Sequence, residues 1–135
     1  MTTELSKHGR LFLEEIRFAV LATMDSDGSS QQTVMWYELQ GDEIMMNTKR
    51  GRLKDRNMRR DSRISVCVAD RYVWVTVSGT ASLDDDQEIA QADIKRLSTR
   101  YHGPEKAERQ ARDQFSNEHR VTIRMPIERV VESLD

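Results

Sequence analysis

The densest chemistry in this sequence is cationic. Between Lys49 and Arg60 stand seven basic residues (Lys49, Arg50, Arg52, Lys54, Arg56, Arg59 and Arg60) against one acid, Asp55. Such residues at the junction of a strand and a helix can grip a phosphate, because free backbone N–H groups at a helix start add to the side-chain charge. Asn47 and Thr48, just ahead of the run, supply neutral donors. The same pattern also reads as a solvated helical face. Neither Gly-x-x-x-x-Gly-Lys nor Gly-x-Gly-x-x-Gly is present, which removes the two common nucleotide-loop readings.

Aromatic residues on strand-like segments form a second candidate set: Trp36 and Tyr37 in one, Tyr72 and Trp74 in another. Flat rings can wall a planar heterocycle, and they also fill cores and interfaces. Side chains for direct catalysis are sparse. His8, His102 and His119 share no metal-ligand spacing, so no metal site is expected. No serine sits in a Gly-x-Ser-x-Gly elbow, since Asp27-Gly-Ser-Ser30 reads as a hairpin turn. Cys67 is expected to be a buried, inert strand residue. No catalytic side chain is assigned, and redox chemistry would fall to an organic cofactor that the protein holds and orients.

The elements that must position these residues follow from periodicity. Leu11, Phe12 and Ile16 fall at helical spacing near the start, with Glu14, Glu15 and Arg17 outward. Phe18–Thr23 reads as a strand, Asp25–Gly28 as a turn, Gln31–Leu39 as a second strand, and Glu43–Thr48 as a third after the Gly41-Asp42 turn. Gly51–Arg60 is helical. Ser62–Ala69 alternates, with Ile64, Val66 and Val68 on one face, and Tyr72–Leu83 alternates around Val73, Val75 and Val77, with Gly79 marking a bulge or bend. Asp84–Asp86 opens a helix that runs to about Tyr101, where His102-Gly-Pro104 stops it. A polar helix follows over Glu105–Phe115, then strand segments Arg120–Met125 and Ile127–Val131 divided by Pro126. These elements predict an antiparallel barrel of six to seven strands with three to four helices, or an open sheet with helices on one face.

The chain has 135 residues, enough for one domain, and residues 1–135 are treated as such. One cysteine excludes an intramolecular disulfide and fits a reducing cytoplasm. A hydrophobic fraction of 37% without a long apolar run gives no membrane span, and the scattered charges of the first residues do not form a secretory signal. The net charge of −2 conceals a division. The Lys49–Arg60 window carries +6, leaving −8 elsewhere, a balance that argues against nucleic-acid coating and for a compact anionic ligand.

Taken in order, Phe18-Ala-Val-Leu-Ala-Thr-Met-Asp-Ser-Asp-Gly28, Gln32-Thr-Val-Met-Trp36, Arg52-Leu-Lys-Asp-Arg-Asn-Met-Arg-Arg-Asp61, Tyr72-Val-Trp-Val-Thr-Val-Ser-Gly-Thr-Ala81 and Arg120-Val-Thr-Ile-Arg-Met-Pro-Ile-Glu-Arg-Val130 resemble the split β-barrel proteins related to pyridoxamine 5′-phosphate oxidase. More narrowly, they resemble the small branch that uses the deazaflavin coenzyme F420. The resemblance covers essentially the whole chain and rests on joint order and spacing. It implies a split antiparallel β-barrel and a homodimer with a cofactor at the subunit interface. It further implies hydride transfer between F420 and a small unsaturated acceptor. Carried over by position, Arg52 and Lys54 match the phosphate grip, with Asn57 one turn on and Asn47 and Thr48 at the preceding strand end. Thr33, Val34, Met35 and Trp36 match the backbone along the ring's polar edge. Tyr72 and Trp74 match the strand that flanks the partner's ring, and Lys49 and Arg50 reach the phosphate or an anionic tail. Trp74 departs from the smaller or basic residue common at that position, which leaves FMN open as the alternative cofactor. A non-catalytic module that stores a cofactor or binds haem is the reading from a different class.

Overall fold

The computed structural model describes residues 2–135. Nine strands form two antiparallel sheets, and neither closes on itself. The first sheet has the order β2 (Ser30–Met35), β1 (Ala19–Met24), β5 (Arg63–Asp70), β6 (Val73–Thr80), β9 (Arg129–Ser133). The second has the order β3 (Glu38–Gln40), β4 (Glu43–Lys49), β8 (Arg120–Pro126), β7 (Ser82–Asp84). This is a split β-barrel. The count exceeds the expected six or seven strands because two segments that read as single strands change sheets midway. Gln31–Leu39 breaks at Trp36-Tyr37 into β2 and β3, and Tyr72–Leu83 breaks at Ala81 into β6 and β7. A chain that crosses between sheets must leave one hydrogen-bond ladder before joining the next. Gly79 marks the seam at the second crossing, where an added Cβ would lie 2.4 Å from the carbonyl oxygen of Pro126. Only a glycine permits that approach.

Alternation on β5 and β6 puts Ile64, Val66, Val68, Val75 and Val77 into the barrel, where they meet Leu21, Ile44, Met46, Ile123 and Met125. Helix α1 (Lys7–Glu14) packs against this core through Phe12 and Leu13. Leu11 and Ile16, expected on the buried face, are exposed, because the helix ends at Glu14 and the phase set by Phe12 and Leu13 turns them outward. Its start is capped by Ser6, whose Oγ accepts the Gly9 N–H at 2.9 Å, while Glu132 accepts both the Ser6 N–H and the Ser6 hydroxyl.

Strand β4 is buried on both faces, so its apolar residues run consecutively. Ile44 and Met46 point into the barrel. Met45 points outward into a second cluster with Ile94, Leu97 and Phe115. Ile94 and Leu97 lie on α3 (Gln87–His102), which begins at Asp86, whose carboxylate accepts the Glu88 and Ile89 N–H groups. Helix α4 (Pro104–Asp113) follows immediately, since Gly103 at φ 87° reverses the chain and Pro104 opens the next helix. A 3₁₀ turn, Phe115–Asn117, returns to β8.

The outer face of the five-stranded sheet is largely open, its outward positions partly or fully exposed. Register places Val34, Val20, Cys67, Thr76 and Val131 side by side across all five strands. Cys67 is therefore half-buried on this open face, not buried as its apolar neighbourhood predicts. Val34 is 68% exposed and Phe18, beside the start of β1, 60% exposed. No helix among the described residues is long and apolar enough to cross a membrane.

Candidate cofactor site

Helix α2 (Leu53–Arg60) carries the basic run, and its residues divide by partner. Gly51, at φ 91°, turns the chain out of β4, and Asp55 accepts the Gly51 N–H at 2.8 Å, which fixes that turn. Asp55 is only 1% exposed and also accepts from Arg59 Nε at 2.9 Å. Asp85, ahead of α3, receives Arg50 Nη1 and Arg59 Nη2, each at 2.7 Å. The hydrogen bond from Arg59, foremost, holds the Asp85 carboxyl below the ordinary carboxylate range. Arg60 donates to the Met24 carbonyl. Arg50, Arg59 and Arg60 are thus spent on holding the helix against β1 and the start of α3. Arg50, expected at the phosphate or tail, is turned to Asp85.

Asn57 is likewise structural. It donates to Asp25 at 2.8 Å and to Thr23 at 3.1 Å, tying α2 to β1. The remaining cations are different. Lys49, Arg52 and Arg56 are exposed and have no acidic partner among the described residues. Lys54 is 7% exposed and equally without a carboxylate or hydrogen-bond acceptor among the described residues. Burial, and after it the charges of Arg52 and Arg120, lower its pKa. A buried ammonium with cations for neighbours is an unfavourable arrangement that an anion would relieve.

Arg52 opens into a cleft of about 270 Å³ shared with Val34, Met35, Trp36, Asn47 and Arg120. Four of the predicted ring and phosphate contacts (Val34, Met35, Trp36 and Asn47) therefore meet Arg52 in one place. The neighbouring Thr33 has a buried Oγ1 with no hydrogen-bond partner. Strand β2 is the edge of its sheet, so one side of its backbone is free to bond a ligand. Thr48 is buried at the end of β4. Asn47 spends its amide inside the protein, donating to the Ala90 carbonyl at 2.9 Å and accepting from Arg120 Nε at 3.0 Å.

An aromatic stack borders the cleft. Tyr101 lies between Phe18, at 5.6 Å, and Trp36, at 5.4 Å, and His102 meets Trp36 edge-on at 5.0 Å. Tyr101 is pinned by donating to the Arg17 carbonyl at 2.6 Å and accepting the Tyr37 N–H at 3.1 Å. Burial raises its pKa, so the phenol stays protonated near neutrality. Tyr72 and Trp74 do not join this group within one chain. Tyr72 is 94% exposed at the tip of the β5–β6 hairpin, and Trp74 lies half-buried on the outer sheet face beside Ala69.

Sequence reasoning missed Phe18, Ile94, Leu97, Gln110, Gln114, Phe115 and Arg120, which complete the lining. For Arg120 a signal existed. In Arg120-Val-Thr-Ile-Arg-Met125 the polar residues alternate with apolar ones on a strand whose apolar side fills the barrel, so the polar side must face something built for it. No group of three metal-ligating side chains occurs among the described residues.

A two-sheet split barrel of this kind is the fold of the pyridoxamine 5′-phosphate oxidase class. The family model for pyridoxamine 5′-phosphate oxidase matches residues 5–131, and the chain belongs to that family. Among solved structures, the fold is shared with conserved hypothetical protein Rv2991 from Mycobacterium tuberculosis, at 29% identity and a TM-score of 0.79 over 96% of this chain and 85% of that one. It is also shared with an F420 reductase, at 24% identity and a TM-score of 0.74 over 90% and 94% of the two chains. General Stress Protein 26 from Bacillus anthracis str. Sterne has the same fold at 16% identity, with a TM-score of 0.69 over 93% and 91%. A search of curated proteins finds no match.

Proposed function

We propose that this chain is a cytoplasmic, homodimeric oxidoreductase that binds the deazaflavin coenzyme F420 and exchanges hydride with a small unsaturated organic acceptor. The observation that carries the reading is Lys54, a buried ammonium without a counter-ion, next to Arg52 at the start of α2. A phosphate between them relieves the charge and takes up the free N–H groups of the first helical turn. The free edge of β2 suits the polar edge of a ring that bears carbonyl and N–H groups. When bound, such a ring supplies hydride transfer, and the acceptor's reduction is completed by a proton from solvent. The protein's part is to hold, orient and shield.

Lys49 and Arg56 exceed what one phosphate needs, which favours the longer anionic tail of F420 over FMN. The F420 reductase that shares the fold supports the same choice. The open sheet face supplies the dimer surface: its row of Val34, Val20, Cys67, Thr76 and Val131 is apolar enough to need a cover. A second copy packed there brings the Tyr72 hairpin and Trp74 of one protomer toward the cleft of the other.

Titration with F420 and with FMN, followed by fluorescence quenching, tests the cofactor. F420 should bind at micromolar levels or tighter and FMN about tenfold more weakly. Yellow FMN carried through purification, with F420 fluorescence unchanged, would replace this reading by the FMN one. Light scattering tests the assembly, with Val34→Asp expected to give monomers that bind F420 more weakly.

A further inference from the structure

We propose that the end of the cleft at Arg120 is a carboxylate subsite, so that the acceptor this protein takes is a planar, largely apolar monoanion. The proposal rests on the function given above and adds the substrate class. Arg120 is 6% exposed, and its guanidinium is fixed on two sides, Nε to Asn47 at 3.0 Å and Nη1 to Glu118 at 2.9 Å. Its face lies over the Phe115 ring, 5.2 Å from the centroid. Nη2 has no acceptor among the described residues, yet it is not one of the sealed, unpartnered atoms as Thr33 Oγ1 is. For so buried a side chain the opening is the cleft that it lines. A rigid donor with one free N–H pair, in a space walled by Val34, Trp36, Ile94 and Leu97, is suited to an oxygen anion carried on a flat apolar body.

Charge supports the assignment. Arg52, Lys54 and Arg120 act on one another electrostatically, and the acid paired with Arg120 is Glu118. One phosphate on Arg52 and Lys54 leaves Arg120 compensated by Glu118 alone. Glu118 does not line the cleft, so it competes for the Arg120 charge without filling the space. Gln110 extends the recognition. Its Oε1 accepts from Ser98, which leaves its amide N–H groups free at the same lining.

The test compares 2-naphthoate with 2-naphthamide, two flat probes of nearly equal size that differ in charge, by calorimetric titration of the protein with and without saturating F420. Naphthoate should bind at least about tenfold more tightly in both states, and Arg120→Gln should reduce the preference to within about twofold. Glu118→Gln, which removes the competing carboxylate, should tighten naphthoate severalfold and leave naphthamide unchanged. That variant decides the matter even if Arg120→Gln does not fold. Equal affinities for the two probes, no response to Glu118→Gln, or displacement of naphthoate by F420 or inorganic phosphate would each overturn the subsite. Failure of F420 to bind, with the naphthoate preference intact, would overturn the cofactor reading instead.

Discussion

Two sets of basic residues on and beside one eight-residue helix, α2, are similar in type and do opposite things. In one set Arg59, with Arg50 beside it, is neutralised by Asp55 and Asp85 in a network that fixes the helix to its neighbours. In the other, Lys54 is buried and Arg52 and Arg56 stand exposed, all without a counter-ion among the described residues. The difference is one of what each charge is for. A paired charge lowers the energy of the fold, whereas an unpaired buried one raises it and stores that cost until a ligand arrives. Positive residues in a row are therefore not one feature, and partners assigned from distant parts of the chain decide which are structural.

The largest effect should come from the paired set. Asp55→Ala leaves Arg59 half-satisfied and the Gly51 N–H without its acceptor, and should cost about 3 kcal/mol of stability, read as a fall in Tm and in the urea midpoint. Lys54→Met should do the reverse. It removes a buried, uncompensated cation, so Tm should hold or rise, while F420 binding should weaken by about 2 kcal/mol, or roughly thirtyfold in a fluorescence titration. A Lys54→Met protein that melts early and binds normally would erase the contrast between the two sets.

What could be read from the sequence follows the same line. The alternation of Ile64, Val66 and Val68 showed a half-buried strand because one face of β5 packs and the other is open. The resemblance assigns Arg52 and Lys54 to a phosphate grip, and the proposed function keeps that assignment. Nothing local distinguished Lys54 from Arg50, because the residue that neutralises Arg50 is Asp85, thirty-five positions away. The sheet change at Trp36-Tyr37 was hidden because both halves have strand-like residues. Gln110 and Gln114 reach the cleft only because α3 and α4 fold back on each other, and that hairpin depends on tertiary contact more than on sequence pattern.

The two sets should also separate by pH. Asp85 has a lowered pKa, caused mainly by Arg59, so its contribution to stability is complete above the unfolded carboxylate value of 3.8 and is lost as pH falls through the folded one. Lys54 has a pKa below 10.5, and a bound anion draws it back up. Anion affinity should therefore fall as pH rises past the free protein's Lys54 value, by up to about tenfold per unit. Titrations of F420 from pH 7 upward check this, and Lys54→Arg should delay the decline because a guanidinium does not deprotonate there.

The smallest effect should come from Arg56. It is unpaired like Lys54 but exposed, so water already satisfies its charge and little energy is stored in it. Arg56→Ala should leave Tm within a degree or so and weaken F420 by no more than about threefold, with that loss vanishing at high salt because exposed charges are screened. The same salt should barely alter the loss caused by Lys54→Met. If the Arg56 and Lys54 losses responded equally to salt, burial would not be what sets Lys54 apart, and the grip would reduce to a general electrostatic attraction along the helix.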